Sequence, residues 1–368
     1  MSDTHRRPRL SDIAAAAGVS VATVSRVLSD HPAILSETKE RVRAVAQAQG
    51  YPLPDADAVP RTARSRRPRR TGSVCAVMPV ALPAGSRLAN AFEMNLLGGV
   101  GAAMRDQGLD FAVSAVAPHD DASLLRFMDR HPYDGVIFFG QSQFHDGLNT
   151  LAQGNRPFVV WGVETPGQRY CSVGSDNFAC GFRATQHLIA LGRERVAFVG
   201  QAAPITTAQT RHSQLSERLA GFRAALAEAG GSPGITMMRP ANSGLAAGEN
   251  GVRTLLAKGT GFDAIVASSD LVAVGAIRVL RDHGMRVPED VAVVGYDDSD
   301  LAQLIQPRLT TMRQDPILSG NLLVTKLLRA MAGYEVKSER LPIDLVVRES
   351  CGAVASRPVQ IAKTAITP

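Results

Sequence analysis

No run of apolar residues in this chain approaches the roughly 18 that a membrane-spanning helix needs, so the sequence predicts no transmembrane segment. The first residues, MSDTHRRPRL, place charge where a secretory signal would have an apolar stretch, so no export signal is expected. Cysteine is scarce: Cys75, Cys171, Cys180 and Cys351 lie far apart and form no C-x-x-C pair. That predicts neither a disulfide framework nor a structural zinc site, and it fits a reducing cytoplasm. The eight histidines are scattered without metal-ligand spacing, so no metal is expected. Catalytic signatures are missing too: no G-x-S-x-G elbow, no G-x-x-x-x-G-K-[ST] phosphate loop, no H-E-x-x-H. Gly98, Gly99 and Gly101 fall inside a predicted helix and not in a strand-to-helix turn, which argues against a dinucleotide site. Neither an enzyme nor a bound cofactor is expected.

What is present is the composition of a folded protein, 45% hydrophobic and 20% charged, with 33 Gly and 21 Pro over 368 residues. Such a length predicts roughly two to three domains. The net charge of +6 is unevenly placed: residues 1–70 hold 13 Lys/Arg against 7 Asp/Glu, and the remainder is balanced. A basic head on a neutral body is the footprint of a module for a polyanion; a solvated basic tail is the alternative.

The head itself speaks against a mere tail. A short helix fits 12–17, with Ser11 placed to cap it and Gly18 to stop it, and Ser20 can cap a second helix over 21–28. Two short helices joined by Gly18-Val19-Ser20 form a helix-turn-helix pattern. A third helix is predicted at about 37–49, ended by Gly50. Ile13, Ala17, Val24, Val27, Val42, Val45 and Ala46 are its candidate core. In such a motif the second helix enters the major groove of DNA. Arg26 can pair bidentately with guanine, and Val21 and Ala22 can touch a thymine methyl. Ser20, Thr23 and Ser25 can donate to phosphates, and Thr38 completes the candidate DNA-contacting set. A plain helix cap for Ser20 and a solvated surface role for Arg26 are the structural alternatives.

The run DIAAAAGVSVATVSRVL, residues 12–28, closely resembles the DNA-binding head of the lactose-repressor (LacI/GalR) family of transcription regulators. Residues 52–72, which hold four Pro, then read as a linker, and six Arg are packed into 61–70. The resemblance implies a short hinge helix here, typically A-R-S-L-R, whose Leu wedges into the minor groove. This chain has Ala63-Arg64-Ser65-Arg66-Arg67, so Arg66 stands where the wedge Leu would be. An arginine reads a narrow, electronegative groove and does not unstack a base step, which predicts a smaller operator bend. Arg64 and Arg66 are candidate DNA contacts; arginines acting as a loose phosphate clamp, with no hinge helix, are the alternative.

From Ser73 onward strands and helices alternate. Strands are predicted at 73–78, 110–116, 134–139, 157–161, 195–199, 263–267 and 291–295, with helices at about 90–107, 121–130, 144–153, 178–191, 213–229, 245–258 and 270–283. Regular β-α alternation of this length predicts an α/β body of two lobes built on doubly wound parallel sheets. Ligands in such lobes bind at the carboxyl ends of strands. The body is also similar to the same family in YDGVIFFG (133–140), VGSDNFACGFRATQHLIALGRERVAFVG (173–200), RLAGFRAALAEAG (218–230), SSDLVAVGAIRVLRDHGMRVPEDVAVVGYDD (268–298), PRLTTMRQD (307–315) and LVVRES (345–350). This implies a periplasmic-binding-protein-like body whose chain crosses between lobes near 162, 298 and 335.

The same resemblance implies effector contacts by Arg218 and Asp297. Ser269 stands where relatives often carry Asn, next to Asp270. Asp176 and Asn177 precede a helix at a strand end, Trp161 ends a strand where a ring can stack on a sugar, and Phe92 can line the cleft. The alternatives are core packing for Trp161 and Phe92, helix capping for Asp270, and an interlobe salt bridge for Arg218.

The chain thus divides by sequence into a head (1–51), a basic linker (52–72), an effector-binding and dimerisation body (73–350) and a tail (351–368). The tail lacks a Leu heptad, which predicts no helical tetramerisation segment; dimer against tetramer stays open. The reading is a cytoplasmic repressor that binds a pseudo-palindromic DNA operator as a homodimer and answers to a small sugar, with no membrane partner. A small-molecule carrier or receptor without a DNA role is the alternative; the basic head and absent export signal favour the repressor.

Overall fold

The computed structural model describes residues 10–28, 34, 36–49, 73–78, 91–114, 118, 120–131, 133–140, 144–154, 156–202, 213–230, 234–240 and 244–353. The side chains of Ser11, Ala22, Ser25, Arg26, Leu28 and Ser36 lie outside this description, as do the whole linker, with Arg64 and Arg66, and the tail beyond Ala353. The chain divides into two compact units, Met1–Arg69 and Arg70–Pro368.

Among the described residues, the first unit holds three helices: α1 (Leu10–Ala17), α2 (Val21–Leu28) and α3 (Ser36–Ala48). Helix α1 begins at Leu10, so Ser11 sits within its first turn and is not the cap expected of it. Gly18 ends α1 with φ +66, a backbone conformation that glycine adopts without a Cβ clash. Ser20 caps α2 as expected, its hydroxyl accepting from the Thr23 amide at 3.1 Å. Ile13, Ala14, Ala17, Val24, Val27, Val42 and Ala46 form the buried core, with Val45 at its edge.

The second unit carries two six-stranded sheets. The first contains β1 (Ser73–Val77), β2 (Asp110–Ser114), β3 (Gly135–Phe139), β4 (Phe158–Trp161), β5 (Ser172–Ser175) and β11 (Glu339–Leu341), in the order β11-β5-β4-β3-β1-β2. Its central strands β1, β3 and β4 are apolar on both faces because helices cover both. Val74 and Ala76 of β1 and Ile137 and Phe139 of β3 face α4 (Ala91–Asp106) and α12 (Pro316–Met331). Cys75, Val77, Val136 and Phe138 face α5 (Asp121–Arg130) and α6 (His145–Ala152).

The second sheet contains β6 (Val196–Ala202), β7 (Ile235–Pro240), β8 (Ala264–Ala267), β9 (Ala292–Asp297), β10 (Thr310–Arg313) and β12 (Asp344–Val346), in the order β12-β10-β9-β8-β6-β7. Helices α7 (Asn177–Ala190) and α8 (Gln214–Glu228) cover one face, where Phe198 and Phe222 pack with ring centroids 5.5 Å apart. Helices α9 (Gly244–Ala257) and α10 (Asp270–Asp282) cover the other. A one-turn helix, α11 (Leu301–Leu304), follows β9. All pairings in the two sheets are parallel except β10 with β12, which is antiparallel.

Strands β5, β7, β10, β11 and β12 and helices α11 and α12 were not anticipated by the hydrophobic pattern. Several of the strands are three or four residues long and polar, as in SVGS and ERL, so alternation has no length over which to register. The omission displaced the interlobe crossings. The chain leaves the first sheet after Ser175, returns between Arg313 and Pro316, and leaves again between Leu341 and Asp344. The expected crossings near 162, 298 and 335 are therefore corrected to about 176, 314–315 and 342–343. Among the described residues, no helix is long and apolar enough to cross a membrane.

Candidate DNA-reading helix and interlobe site

In the head, helix α2 turns Val24 and Val27 inward, both fully buried, and leaves Val21 47% exposed at its first turn. The Ser20 hydroxyl lies 2.9 Å from that of Thr23, so cap and first turn form one polar edge. Thr38 sits half-buried in the first turn of α3. An exposed Ser20 hydroxyl beside exposed Val21, at the start of a capped helix, is the kind of helix N-terminus that meets an anionic backbone. Arg26 lies on α2, with its side chain outside the described residues.

In the body, the three crossings bring most of the other sequence candidates together. Asp176 caps α7, accepting from the Ala179 amide at 2.9 Å, and its own amide donates to Leu341 O at 3.1 Å, tying the first crossing to the third. Asn177 is buried; its Nδ2 donates to Ser175 O at 2.9 Å and its Oδ1 accepts from Arg218 Nε at 2.8 Å and from Tyr296 Oη at 3.0 Å. The Arg218 guanidinium stacks on the Tyr296 ring, 3.3 Å from its centroid, and also donates to Ser268 O at 2.5 Å. Among the described residues its hydrogen-bond partners are neutral, and not the interlobe carboxylate considered as an alternative.

Asp297 ends β9. Its Oδ1 accepts from Gln314 Nε2 at 2.7 Å, and Gln314 Oε1 accepts from Ser175 Oγ at 2.6 Å. Burial pushes the Asp297 carboxyl well above the usual carboxylate range; Arg218 opposes this, while Asp270 and Glu93 add to it. Glu93 belongs to α4, in the other lobe. Asp297 (φ 117) and Asp298 (φ 54) both hold left-handed backbone, and non-glycine residues in that region concentrate at functional sites. Asp298 is clamped by Arg313 Nε and Arg348 NH2, each at 2.6 Å.

Ser269, and not Asp270, caps α10, accepting from the Val272 amide at 3.3 Å. Asp270 is buried and takes Thr311 Oγ1 at 2.6 Å, Ser299 N at 2.7 Å and Ser299 Oγ at 2.9 Å. It braces the loop after β9, and burial raises its pKa despite those donors. The capping role considered for Asp270 is thus corrected. Trp161 is 2% exposed and Phe92 9%, with ring centroids 5.6 Å apart in the first lobe's core; the packing alternative fits both rings. Sequence reasoning did not single out Ser175, Gln314, Tyr296, Ser299 or Thr311. Gln314 was visible only as the residue before Asp315, with no strand recognised ahead of it. Among the described residues no cluster of three or more His, Cys, Asp or Glu is arranged to hold a metal.

Comparison with known proteins joins the two halves. Residues 9–52 match the family described as "Bacterial regulatory proteins, lacI family", and residues 185–351 match the periplasmic binding protein-like domain. The HTH-type transcriptional regulator CelR of Thermobifida fusca is 32% identical over 353 residues, covering 95% of this chain and 99% of its own. The regulator RegA of Clostridium saccharobutylicum is 27% identical, covering 93% and 98%. Among solved structures, a transcriptional regulator CelR–cellobiose complex superposes with a TM-score of 0.64 at 31% identity, over 94% of this chain and all of that one. The lac repressor dimer bound to operator and the anti-inducer ONPF superposes with a TM-score of 0.65 at 25% identity, over 95% and 100%. With a capped helix-turn-helix ahead of two α/β lobes, the chain belongs to the lacI family of bacterial regulatory proteins, and it is a DNA-binding transcriptional regulator.

Proposed function

We propose that the protein is a repressor whose hold on a pseudo-palindromic operator is set by a carbohydrate bound between the lobes of its body. The observation that carries this is the gathering of Arg218, Asp297, Asp176 and Asn177 at the crossings, where strand ends of both sheets meet. Carboxyl, amide and guanidinium groups gathered where strands end pair with neighbouring sugar hydroxyls through hydrogen bonds. The likeness to a regulator solved with cellobiose supports a saccharide of that kind. Ser20, Val21, Ala22, Thr23, Ser25, Arg26 and Thr38 make the DNA contacts, with Arg64 and Arg66 on the linker. The functional boundaries are a head at 1–51, a linker at 52–72, a body at 73–350 and a tail at 351–368. The protein acts in the cytoplasm and performs no catalysis.

One helix-turn-helix covers few base pairs, so two copies act together and the operator mirrors their symmetry. The first lobe supplies the contact between copies: Met94 on α4 and Ile317 and Leu318 on α12 are about half exposed, an apolar surface that a second copy would cover. Saccharide binding shifts the lobes as rigid bodies and respaces the heads, so saccharide and operator alter each other's affinity by the same factor.

The test is a gel shift on duplexes selected from a random pool, at low salt, with and without cellobiose. Selective retardation that responds to cellobiose or another saccharide of a mono- and disaccharide panel is expected. A monomer that retards no duplex would overturn the reading.

A further inference from the structure

We infer that the side-chain amide of Gln314 is the coupling element between cleft and lobes, fixing their separation in one state and releasing it in the other; this rests on the effector-gated reading of the body. Gln314 occupies the second of the three crossings, directly after β10. Its Oε1 accepts from Ser175 Oγ at 2.6 Å, and Ser175 is the last residue of β5 in the first sheet. Its Nε2 donates to Asp297 Oδ1 at 2.7 Å, and Asp297 is the last residue of β9 in the second sheet. Its main-chain amide donates to Asp297 O at 3.3 Å as well. One rigid planar amide thus spans the strand ends of the two lobes.

Geometry makes this a gauge and not a general adhesive. A planar amide has fixed spacing between its oxygen and nitrogen, so both bonds form together over a narrow range of lobe separation. Ser175 and Gln314 are 6% and 7% exposed, so water cannot replace a bond that is broken. Opening, closing or twisting the lobes breaks either the bond to the Ser175 hydroxyl or the bond to the Asp297 carboxyl. A polyol whose hydroxyl takes over Asp297 Oδ1 removes the acceptor from Gln314 Nε2. The amide then turns, and Ser175 loses its bond to Gln314, keeping only Tyr296 as a partner in the other lobe. Such a contact has two discrete arrangements, which is what turns a local change into a rigid-body step. Gln314 acts here through Asp297 and Ser175, as a positioning residue.

The experiment uses the full-length chain and its Ser175→Ala, Ser175→Thr and Gln314→Leu variants. In the unliganded proteins, hydrogen exchange is followed in the peptides covering 172–177 and 310–316. Exchange in both segments should rise about tenfold in Ser175→Ala and in Gln314→Leu, and return to the wild-type rate in Ser175→Thr, which keeps the hydroxyl. In a second arm, a duplex selected by the wild-type protein is titrated with and without cellobiose. The ratio of the two operator affinities should fall towards one in Ser175→Ala, while the affinity for cellobiose stays within about threefold of wild type. A general loss of stability would lower the unfolding midpoint without removing that ratio. Wild-type exchange rates in Ser175→Ala and Gln314→Leu would overturn the inference, and so would an undiminished ratio. If the wild-type protein selects no duplex or ignores cellobiose, it is the effector-gated reading that is lost, and the exchange arm still decides whether the amide holds the lobes.

Discussion

The carbonyl oxygen of Arg218 lies directly over Gly181: a Cβ added to that glycine would stand 1.9 Å from it. The contact is reciprocated, since a Cβ on Gly221 would meet Phe178 O at 2.0 Å. Helices α7 and α8 therefore touch backbone to backbone just where Arg218 reaches Asn177 and Ser268. Gly181→Ala should force the helices apart, cost about 1–3 kcal/mol of unfolding free energy, and blunt the saccharide response by displacing Arg218. Urea unfolding and a saccharide titration read the two effects; a variant as stable as wild type would contradict the packing argument.

The Asp297 and Asp270 carboxyls, both held above the ordinary carboxylate range by burial, set a pH dependence. A group with a raised folded-state pKa stabilises fully below its unfolded pKa and loses that contribution as pH rises through the folded value. Between about pH 4 and 8 the unfolding midpoint of the wild type should fall relative to that of Asp297→Asn, which has no proton to lose. Calorimetric scans across that range provide the check, and parallel curves for the two proteins would refute it.

Thr311→Val should be costly although it is nearly isosteric. It deletes the 2.6 Å donor to buried Asp270 and leaves that oxygen unpaired, for a loss of about 1–3 kcal/mol in denaturant unfolding. Thr311→Ser, which keeps the hydroxyl, should recover most of it.

In the head, Ser20→Ala removes the α2 cap and should cost about 1 kcal/mol of stability. Arg26→Ala should leave stability unchanged, weaken operator binding by about 1–3 kcal/mol and relax base preference at one position. Competition gel shifts over a set of single-base operator variants distinguish the two.

Met94→Glu places a charge on the apolar surface formed with Ile317 and Leu318 and should shift the protein towards monomer. Sedimentation velocity over a concentration series measures this, and an unchanged sedimentation coefficient at every concentration would place the contact elsewhere.

The head was legible almost to the residue: α2 spans 21–28 as read, because Ser20, Gly18 and the Val24/Val27 spacing are local signals. Helix α10 was placed within a residue for the same reason. Helix α12 escaped although its LLVTKLL core is strongly helical, because no strand was recognised on either side to make it part of an alternation. At the interlobe site, Asp297 at a strand end and Arg218 in the first turns of α8 stood out through the resemblance to the lactose-repressor family. Ser175 and Gln314 did not: their significance lies in which lobe each neighbour belongs to, and the crossings that decide this had been misplaced.

The first lobe closes only when α12 and β11 return to it, with Leu323, Val324 and Leu327 sealing the core begun by Val74 and Ile137. During synthesis, residues 73–175 therefore emerge with an apolar sheet face that α4 covers only in part, and the rest waits for nearly the whole remaining polypeptide. The second lobe is completed later still, because β12 follows β11 and Ile343 and Cys351 finish the face begun by Phe198; each lobe thus waits on the end of the chain for its last core residues.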